Sequence, residues 1–254
     1  MRHPYHILSP SPWPLFLSLN LLSFMISMVG ILSGYENSIK INILSLIIIL
    51  YVFYLWLYDI IIESNYTGFH SYIVSRSLIY GFILFILTEI MLFFSLFWAY
   101  FHSALNPYTL IWPPIGIDLI NPWSIPLLNT FLLLYSGISA TFAHHSFINK
   151  NRTYTIIGLI ITISLGLFFF LLQTFEYFYS TFDITDSVYG STFFLTTGTH
   201  GFHVIVGILF FIFTLIRIYK FQSPSILFDL ALLYYHFVDI VWIALYILIY
   251  YMAY

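Results

Sequence analysis

The chain has 254 residues, of which 61% are hydrophobic and only 7% are charged, and its formal net charge is −3. Soluble globular proteins carry about 25% charged residues, so this composition excludes a water-soluble globular protein and indicates that lipid surrounds most of the chain. The sequence has no basic patch, which disfavours nucleic-acid binding. It also has no cysteine, which excludes disulfides, thiolate metal sites and iron–sulfur clusters.

Seven segments are long and apolar enough to cross a bilayer, which takes a helix of about 20 residues. In chain order they cover approximately 14–33, 41–62, 77–103, 126–147, 154–178, 190–218 and 230–252. None of the ten prolines lies in the interior of a span, where proline would disturb the helix. The sequence therefore predicts an all-α integral membrane protein that forms a single membrane domain, residues 1–254.

Positive charges are distributed unequally between the two sides of this domain. With seven spans, the N-terminus and loops 2–3, 4–5 and 6–7 share one side, which holds six of the seven basic residues: Arg2, Arg76, Lys150, Arg152, Arg217 and Lys220. Only Lys40 lies on the other side. Since basic residues accumulate on the inner side of membrane proteins, the N-terminus is predicted to face the cytoplasm or mitochondrial matrix, and the C-terminus the opposite compartment.

Glu89 lies about midway along the third predicted span, in the segment ILFILTEIMLFF. An ionisable side chain in hydrocarbon is costly, which makes it a functional candidate by default. One interpretation is a neutral carboxylic acid that joins two helices by a hydrogen bond, and the other is a proton carrier. The first is favoured, because a proton relay needs several groups and a single sequence does not show which groups are adjacent.

His200 and His203 lie near the middle of the sixth span, three residues apart and therefore on neighbouring parts of one helical face. They could ligate a metal or haem, but no other span carries a matched histidine at the same depth. Packing and hydrogen bonding are favoured, with Glu89 as the candidate partner. Small residues nearby predict a smooth surface for close helix approach, and these are Thr197, Gly198, Gly201 and Gly207.

Two further spans carry ionisable residues. His236 and Asp239 are also three residues apart, in YYHFVDIVW, and the favoured interpretation is a mutually satisfied pair on one helix. Glu176, near the outer end of the fifth span, is expected to reach the membrane interface. The sequence predicts no catalytic residue and no metal ligand.

A group of polar and aromatic residues is predicted at the inner membrane interface. Trp56, Glu63 and His70 lie around the end of the second span, and Arg217 and Lys220 lie at the inner end of the sixth. Such residues usually anchor a helix in the interface. They are also candidates for binding phospholipid head groups, with the two basic residues as phosphate partners.

The residues by themselves leave three classes of function open. A haem-binding membrane cytochrome lacks matched ligands, and a proton-coupled transporter lacks the broken helices and repeats that many transporters have. The sequence is also compatible with a structural subunit of a larger membrane complex, a class that requires few specific residues.

Long segments of the chain resemble one family, subunit III of the haem–copper cytochrome c oxidases, and mitochondrial members most closely. The resemblance covers nearly the whole chain in order and spacing. The matching segments are PYHILSPSPWPL (4–15), YDIIIES (58–64), YGFILFILTEIMLFFSLFWAYFHSAL (80–105), WPPIGI (112–117), PLLNT (126–130), AHHS (143–146), LLQTFEYF (171–178), TDSVYGSTFFLTTGTHGFHVIVG (185–207) and HFVDIVW (236–242).

The resemblance implies seven helices in two bundles, helices 1–2 and 3–7, with a V-shaped cleft that holds phospholipids. It implies a non-redox core subunit of the terminal respiratory complex, in which subunits I and II carry haem and copper. That complex reduces oxygen to water with electrons from cytochrome c and pumps protons. The implied roles are stabilising the catalytic subunit I, binding phospholipids, and supporting proton uptake and oxygen access. The implied partners are subunits I and II and accessory subunits, in the mitochondrial inner membrane.

The resemblance also carries residue assignments and departures. Glu89 matches the family's intramembrane glutamate, Glu63 and His70 match positions near lipid head groups, and Arg217 and Lys220 match basic residues of the sixth helix. Arginines that mitochondrial members commonly carry are replaced by Tyr58, Ile62 and Ile79, and Asp229 stands where a glutamate is usual. Fewer arginine–phosphate contacts are therefore predicted near the second span.

Overall fold

The computed structural model describes residues 10–65, 68, 70–107, 111–222 and 225–254. Arg2, one of the residues used to orient the chain, lies outside these ranges. The described residues form helices and no strands, and seven of the helices are long and apolar enough to span a membrane. The predicted class, an all-α protein with seven transmembrane helices, is confirmed.

Five of the seven helices extend at both ends beyond the apolar segments from which they were predicted. In chain order they are α1 (Trp13–Leu32), α2 (Ser38–Asn65), α3 (Tyr72–Ala104), α4 (Ile125–Ile148), α5 (Arg152–Tyr179), α6 (Val188–Tyr219) and α7 (Ser225–Leu245), which a π-helical segment, Tyr246–Tyr251, continues. α3, for example, begins at Tyr72 rather than at 77 and includes Arg76. Hydropathy marks the part of a helix that lies in hydrocarbon, whereas the helix itself continues through polar residues.

The chain divides into two compact units, residues 1–78 and 79–254. The boundary falls within α3, so the first residues of α3 belong to the unit that contains α1 and α2. Each unit is described separately below. The single membrane domain and the V-shaped cleft remain predictions.

In the first unit, α1 and α2 form an antiparallel hairpin tied at both ends. Near the start of α1, Trp13 donates a hydrogen bond from Nε1 to Asp59 Oδ2 near the end of α2, at 2.5 Å. At the opposite end, Asn42 Nδ2 donates to Ser27 Oγ at 3.1 Å. The connection turns at Gly34, whose φ of +80° lies in the region that favours glycine.

In the second unit, α4, α5, α6 and α7 form a bundle in which each helix contacts the next and α4 also contacts α7. The core is rich in aromatic residues, and the largest fully buried side chains include Phe169, Phe193, Phe211, Tyr235 and Trp242. Aromatic side chains bury a large area each and pack edge to face, as Phe169 and Trp242 do with ring centroids 4.8 Å apart. This bundle positions the polar residues of α6 and α7.

Two helices of the bundle end in the same way, at one end of the unit. α4 closes with Lys150 N–H donating to Phe147 O and Asn151 N–H to Ser146 O, both at 2.9 Å. α6 closes with Phe221 N–H donating to the carbonyl of 218 at 3.1 Å and the N–H of 222 to that of 217 at 3.0 Å. This pair of bonds is a Schellman motif, which satisfies the last carbonyls of a helix. Its left-handed residue is Lys150 in one case (φ 59°) and Phe221 in the other (φ 58°).

The proline-rich connection between α3 and α4 lies against the bundle over its described residues. Trp112 Nε1 donates to Tyr100 Oη at 3.1 Å, and the Trp112 ring packs on that of Tyr189 with centroids 6.0 Å apart. Thr181 Oγ1 donates to the carbonyl of Asp118 at 3.0 Å. The connection therefore covers one end of the bundle.

Candidate functional site in the membrane interior

Glu89 and His203 form the central polar contact of the second unit, between α3 and α6. His203 Nε2 lies 2.7 Å from Glu89 Oε2, and His203 Nδ1 lies 2.7 Å from the carbonyl oxygen of Thr199, one turn earlier on α6. The His203 side chain is 7% exposed and the Glu89 side chain 18% exposed. Both imidazole nitrogens are thus engaged by protein groups, which leaves neither ready to ligate a metal.

Hydrogen-bond chemistry fixes the proton count of this pair. A carbonyl oxygen can only accept, so His203 Nδ1 carries a hydrogen and donates it to Thr199. The contact between Nε2 and the Glu89 carboxyl then needs one more proton, held either by the carboxylic acid or by an imidazolium. The pair as a whole is neutral in both arrangements, which suits a site where an isolated charge would be costly.

His200 has a different partner from the one proposed for it. Its Nε2 lies 3.2 Å from the carbonyl oxygen of Val238 on α7, and its ring packs against Trp242 and Phe169, with centroids 5.1 Å and 5.7 Å away. Of the two expected pairings with Glu89, the one with His203 is therefore present and the one with His200 is wrong. An i,i+3 step rotates His200 towards α5 and α7, while His203 faces α3. His200 Nδ1 is buried and has no hydrogen-bond partner among the described residues.

His236 and Asp239 lie near one another on α7. His236 Nδ1 is 3.8 Å from Asp239 Oδ2, which is an ion-pair distance rather than a hydrogen bond. His236 Nε2 lies 3.3 Å from Thr141 Oγ1 on α4. Gly137 of α4 makes room for the carboxylate, since a Cβ at that glycine would sit 2.7 Å from Asp239 Oδ2. The two side chains therefore do not satisfy one another as expected: Asp239 Oδ1 is buried without a hydrogen-bond partner among the described residues, and His236 contacts α4 instead.

The structure contradicts the expectation that Glu176 reaches the membrane interface. This residue is only 4% exposed, and its Oε1 accepts hydrogen bonds from Tyr250 Oη at 2.6 Å and Gln173 Nε2 at 3.2 Å. Asn129 Nδ2 donates to Gln173 Oε1 at 3.4 Å and adds α4 to the network. The i,i+3 spacing of Gln173 and Glu176 in LLQTFEYF was the signal that could have revealed a shared, inward-facing helix face.

The expected smooth surface of α6 is only partly used within the chain. A Cβ on Gly207 would lie 2.9 Å from Tyr235 Cδ2, so this glycine permits the close approach of α6 and α7. Around Gly198 and Gly201, in contrast, a Cβ would meet no atom of the described chain within 4 Å. At these two positions the close approach of another helix stays a prediction, since Gly201 is buried and Gly198 partly exposed but no described side chain packs directly against either.

The head-group candidates fall in both units. In the first unit, Trp56 and Glu63 line an open pocket of about 350 Å³ together with Asp59. His70 is half-buried. In the second unit, Arg217 Nε donates to Gln222 Oε1 at 3.0 Å, while Lys220 is exposed at the end of α6. Over the ranges that the structure describes, no group of three or more His, Cys, Asp or Glu side chains could hold a metal ion.

A family model described as cytochrome c oxidase subunit III matches residues 3–254 of the chain. The chain belongs to the cytochrome c oxidase subunit III family. Curated members of the family match it end to end. Cytochrome c oxidase subunit 3 of Pisaster ochraceus is 47% identical over an alignment of 255 positions, which covers 98% of this chain and 97% of that protein. The proteins of the same name from Arabidopsis thaliana and Yarrowia lipolytica are 44% and 42% identical and also cover 98% of this chain, with 96% and 95% of their own lengths aligned.

Membership of the subunit III family confirms the resemblance seen in the sequence. It makes the chain an integral membrane protein and one subunit of an oxidoreductase complex of the respiratory chain, in which it is associated with other subunits. The histidines and carboxylates described above therefore belong to a protein that functions within an assembly.

Some positions at which this subunit III chain departs from mitochondrial members have defined neighbours. Tyr58 is 51% exposed on α2 and stacks on Tyr54, with ring centroids 6.4 Å apart. Asp229 Oδ1 lies at hydrogen-bond distance from His144 Nε2 of α4, at 2.7 Å. The aspartate thus connects α7 to α4 at the same end of the bundle as the two Schellman turns.

Proposed function

We propose that this chain is a non-redox core subunit of a mitochondrial cytochrome c oxidase, and that its contribution to oxygen reduction and proton pumping is structural. The observation that carries the proposal is the family match over residues 3–254. No catalytic centre is assigned to the chain. Haem and copper belong to the partner subunits I and II, and this chain stabilises subunit I through a large apolar contact.

The apolar surface of the chain supports a role within a larger membrane assembly. Large hydrophobic side chains point outward along the transmembrane helices, for example Trp98 (61% exposed), Ile138 (65%), Phe202 (63%) and Ile240 (67%). Surfaces of this kind are covered by lipid or by other membrane helices. At the partly exposed Gly198 the surface also lacks a side chain, which suits the close approach of a helix of subunit I.

The primary role proposed for Glu89 is structural, and its proposed secondary role is in proton uptake. Its contact with His203 joins α3 to α6 and satisfies two buried polar groups at once. The pair also holds one exchangeable proton, the minimum that a proton-uptake role requires. The neighbouring pair His236–Asp239 and the buried His200 are proposed to act in helix packing.

We propose that two groups of residues contact phospholipid head groups. In the first unit they are Trp56, Glu63 and His70, and in the second unit they are Arg217 and Lys220. The pocket beside Trp56 carries the carboxylates of Asp59 and Glu63, which suit an amine-bearing head group. Since Tyr58, Ile62 and Ile79 supply no positive charge, few direct arginine–phosphate contacts are expected near α2. A lipid phosphate held there by a basic residue of this chain would contradict this proposal.

The proposed location is the mitochondrial inner membrane, with the N-terminus in the matrix and the C-terminus in the intermembrane space. The support comes from the asymmetric distribution of basic residues, six of seven of which lie on the predicted inner side.

A redox difference spectrum tests the absence of a redox centre in this chain. The complex is purified in mild detergent, and the spectrum is recorded before and after this chain is stripped off. The haem signal is expected to stay entirely with the remaining subunits. If haem leaves with this chain instead, the non-redox assignment is wrong, and His200 and His203 become the leading ligand candidates.

A further inference from the structure

An open pocket of about 570 Å³ lies at the end of the second unit where α4 meets α5 and α6 meets α7. Its volume is in the range of small-molecule sites. The pocket is lined from both connections, by Lys150 and Arg152 on one side and by Phe221 and Ser225 on the other. Since all four helices end or begin here, the pocket lies where transmembrane helices leave the hydrocarbon.

Arg152 joins the two connections and keeps hydrogen-bonding capacity. Its Nε donates to the carbonyl of Ile218 at 3.2 Å and its Nη2 to that of Tyr219 at 2.7 Å. The guanidinium also lies over the Phe221 ring, 3.7 Å from the centroid. A guanidinium has five N–H donors, so three remain available for a phosphate, which arginine can bind in a bidentate manner.

Lys150 adds a second positive charge to the same pocket. Within the part of the chain that the structure describes, no carboxylate pairs with its ammonium. Asp229, a nearby acidic residue of α7, is engaged by His144 Nε2 at 2.7 Å. The pocket therefore carries two cations and no acidic side chain among its lining residues, which favours an anionic ligand.

The backbone conformation of Lys150 and Phe221 independently indicates that their side chains have a function. Lys150 and Phe221 are the two non-glycine residues with positive φ in the described chain, and both line this pocket. Each occupies the left-handed position of a Schellman turn, where glycine is the usual residue. Residues kept in unfavourable conformations cluster at functional sites. Glycine at positions 150 and 221 would supply no side chain, whereas Lys150 and Phe221 line the pocket.

Besides the two cations, the lining includes four apolar residues and the uncharged polar residues Thr155, Gln222 and Ser225. Phe147 and Ile218 form part of the wall, while Ile148 and Phe221 are 60% and 83% exposed at its edge. A free phosphate or an acidic peptide would leave this apolar rim uncovered. A phospholipid would cover it with an acyl chain.

We propose that this pocket binds an anionic phospholipid, with its phosphate between Lys150 and Arg152 and an acyl chain against Phe221 and Ile148. Basic pockets between transmembrane helices on the matrix or cytoplasmic side are suited to such lipids. The head-group candidates Trp56, Glu63, His70, Arg217 and Lys220 are not among the pocket's lining residues, although Arg217 donates a hydrogen bond to Gln222, which is. The site depends on the helices spanning a membrane and not on the absence of a redox centre, so the two proposals fail in different experiments.

Photolabelling of the intact complex tests the site. The complex is reconstituted into phosphatidylcholine vesicles that contain a small fraction of phosphatidylglycerol with a photoreactive group near the head-group end of one chain. A parallel sample contains photoreactive phosphatidylcholine of the same acyl chains. Mass spectrometry then quantifies labelling of the segments 147–155 and 218–222. The phosphatidylglycerol probe is expected to label both segments, and the phosphatidylcholine probe to label them several-fold less.

Matched variants separate the pocket from general surface charge. Lys150→Asn removes one charge and suits the left-handed backbone, because asparagine tolerates positive φ. It leaves the carbonyl contacts of Arg152 in place and should reduce labelling by roughly five-fold, the effect of one basic residue near an anionic lipid. Lys40→Gln removes an exposed positive charge of α2, which does not line the pocket and is not a head-group candidate, and should leave labelling unchanged.

Three results would overturn the proposal. Equal labelling by both probes would show that the site does not select for negative charge. Unchanged labelling in Lys150→Asn would show that the lysine does not contribute. Absence of labelling by either probe, with Lys150 cross-linking to an acidic segment of another subunit, would show that a protein covers the pocket.

Discussion

The imidazole of His203 is held at both nitrogens, by Thr199 on its own helix and by Glu89 on α3. Three residues earlier, His200 uses one nitrogen towards the backbone of α7 and packs its ring between aromatic residues. Two histidines of one motif therefore have different neighbours and depend on different kinds of hydrogen-bonding group. The contact of His203 depends on a side chain, whereas that of His200 depends on a carbonyl that no substitution removes.

This difference predicts the outcome of a double-mutant cycle. Glu89→Ala leaves His203 Nε2 buried without a partner, which lowers stability by about 1–3 kcal/mol. In a double-mutant cycle, Glu89→Ala and His203→Ala should show a coupling energy of about 1 kcal/mol or more. The matched cycle of Glu89→Ala with His200→Ala should be additive. The measurement is the thermal release of this chain from the complex in mild detergent. Coupling to His200 equal to that of His203 would contradict the assigned contacts.

Glu89→Gln separates the structural role from the proton-related one. Glutamine can still donate a hydrogen bond to His203 Nε2 but has no exchangeable carboxylic proton. If the role is structural, assembly and proton uptake by the complex should both be retained. Normal assembly with slowed proton uptake would make the proton-related role the primary one.

At the scale of helices, glycines decide which pairs approach closely. α4 and α5 meet at Gly158, where a Cβ would lie 2.8 Å from the Cβ and 3.1 Å from the Cα of Ala143. Because one of these neighbours is backbone, the helices can accommodate a methyl group only by moving apart. At Gly201 on α6, a Cβ would meet no described atom within 4 Å.

Alanine substitutions at these two glycines should therefore have opposite consequences for the fold of the chain. Gly158→Ala is expected to destabilise by about 1–3 kcal/mol through overpacking. Gly201→Ala should be neutral or slightly stabilising within the chain, since alanine is the better helix former by about 1 kcal/mol. The abundance of the chain in membranes and its protease resistance measure both effects. A fold that tolerates Gly158→Ala as well as Gly201→Ala would show that α4 and α5 are not in tight contact.

At the scale of the whole molecule, the chain is a set of helices whose exposed surface is mainly apolar. Membership of the subunit III family, with matches that extend over 98% of the chain, places this surface in a membrane complex. The distribution of basic residues predicts which end of the helices faces the matrix. Since the chain contains no cysteine, single introduced cysteines can report that orientation without background.

Two exposed positions at opposite ends of the second unit suit this test. Asn149→Cys follows α4 on the predicted matrix side, and Thr185→Cys precedes α6 on the other side. In mitoplasts, a membrane-impermeant maleimide should label Thr185→Cys at once and Asn149→Cys only after the membrane is permeabilised. The reverse pattern would invert the proposed orientation.

The helices and the family could be predicted from the sequence because both depend on local properties. Length and hydropathy over about 20 residues determine whether a segment spans a bilayer. The family model matches residues 3–254, which include long motifs such as TDSVYGSTFFLTTGTHGFHVIVG. The presence of costly polar residues such as Glu89 within spans was equally visible. Their number and depth could be read directly from the positions of the apolar segments.

Only the tertiary structure decided which of these residues meet. Hydropathy does not specify how a helix is rotated about its own axis or which helix packs beside it, and a step of three residues was enough to turn His200 towards α7 and His203 towards Glu89. The same rotation buried Glu176 under Tyr250 instead of leaving it at the interface. It also brought Lys150 and Phe221, from two separate turns, to one pocket. Packing between helices fixes these rotations, and packing is a property of the whole bundle rather than of any one segment.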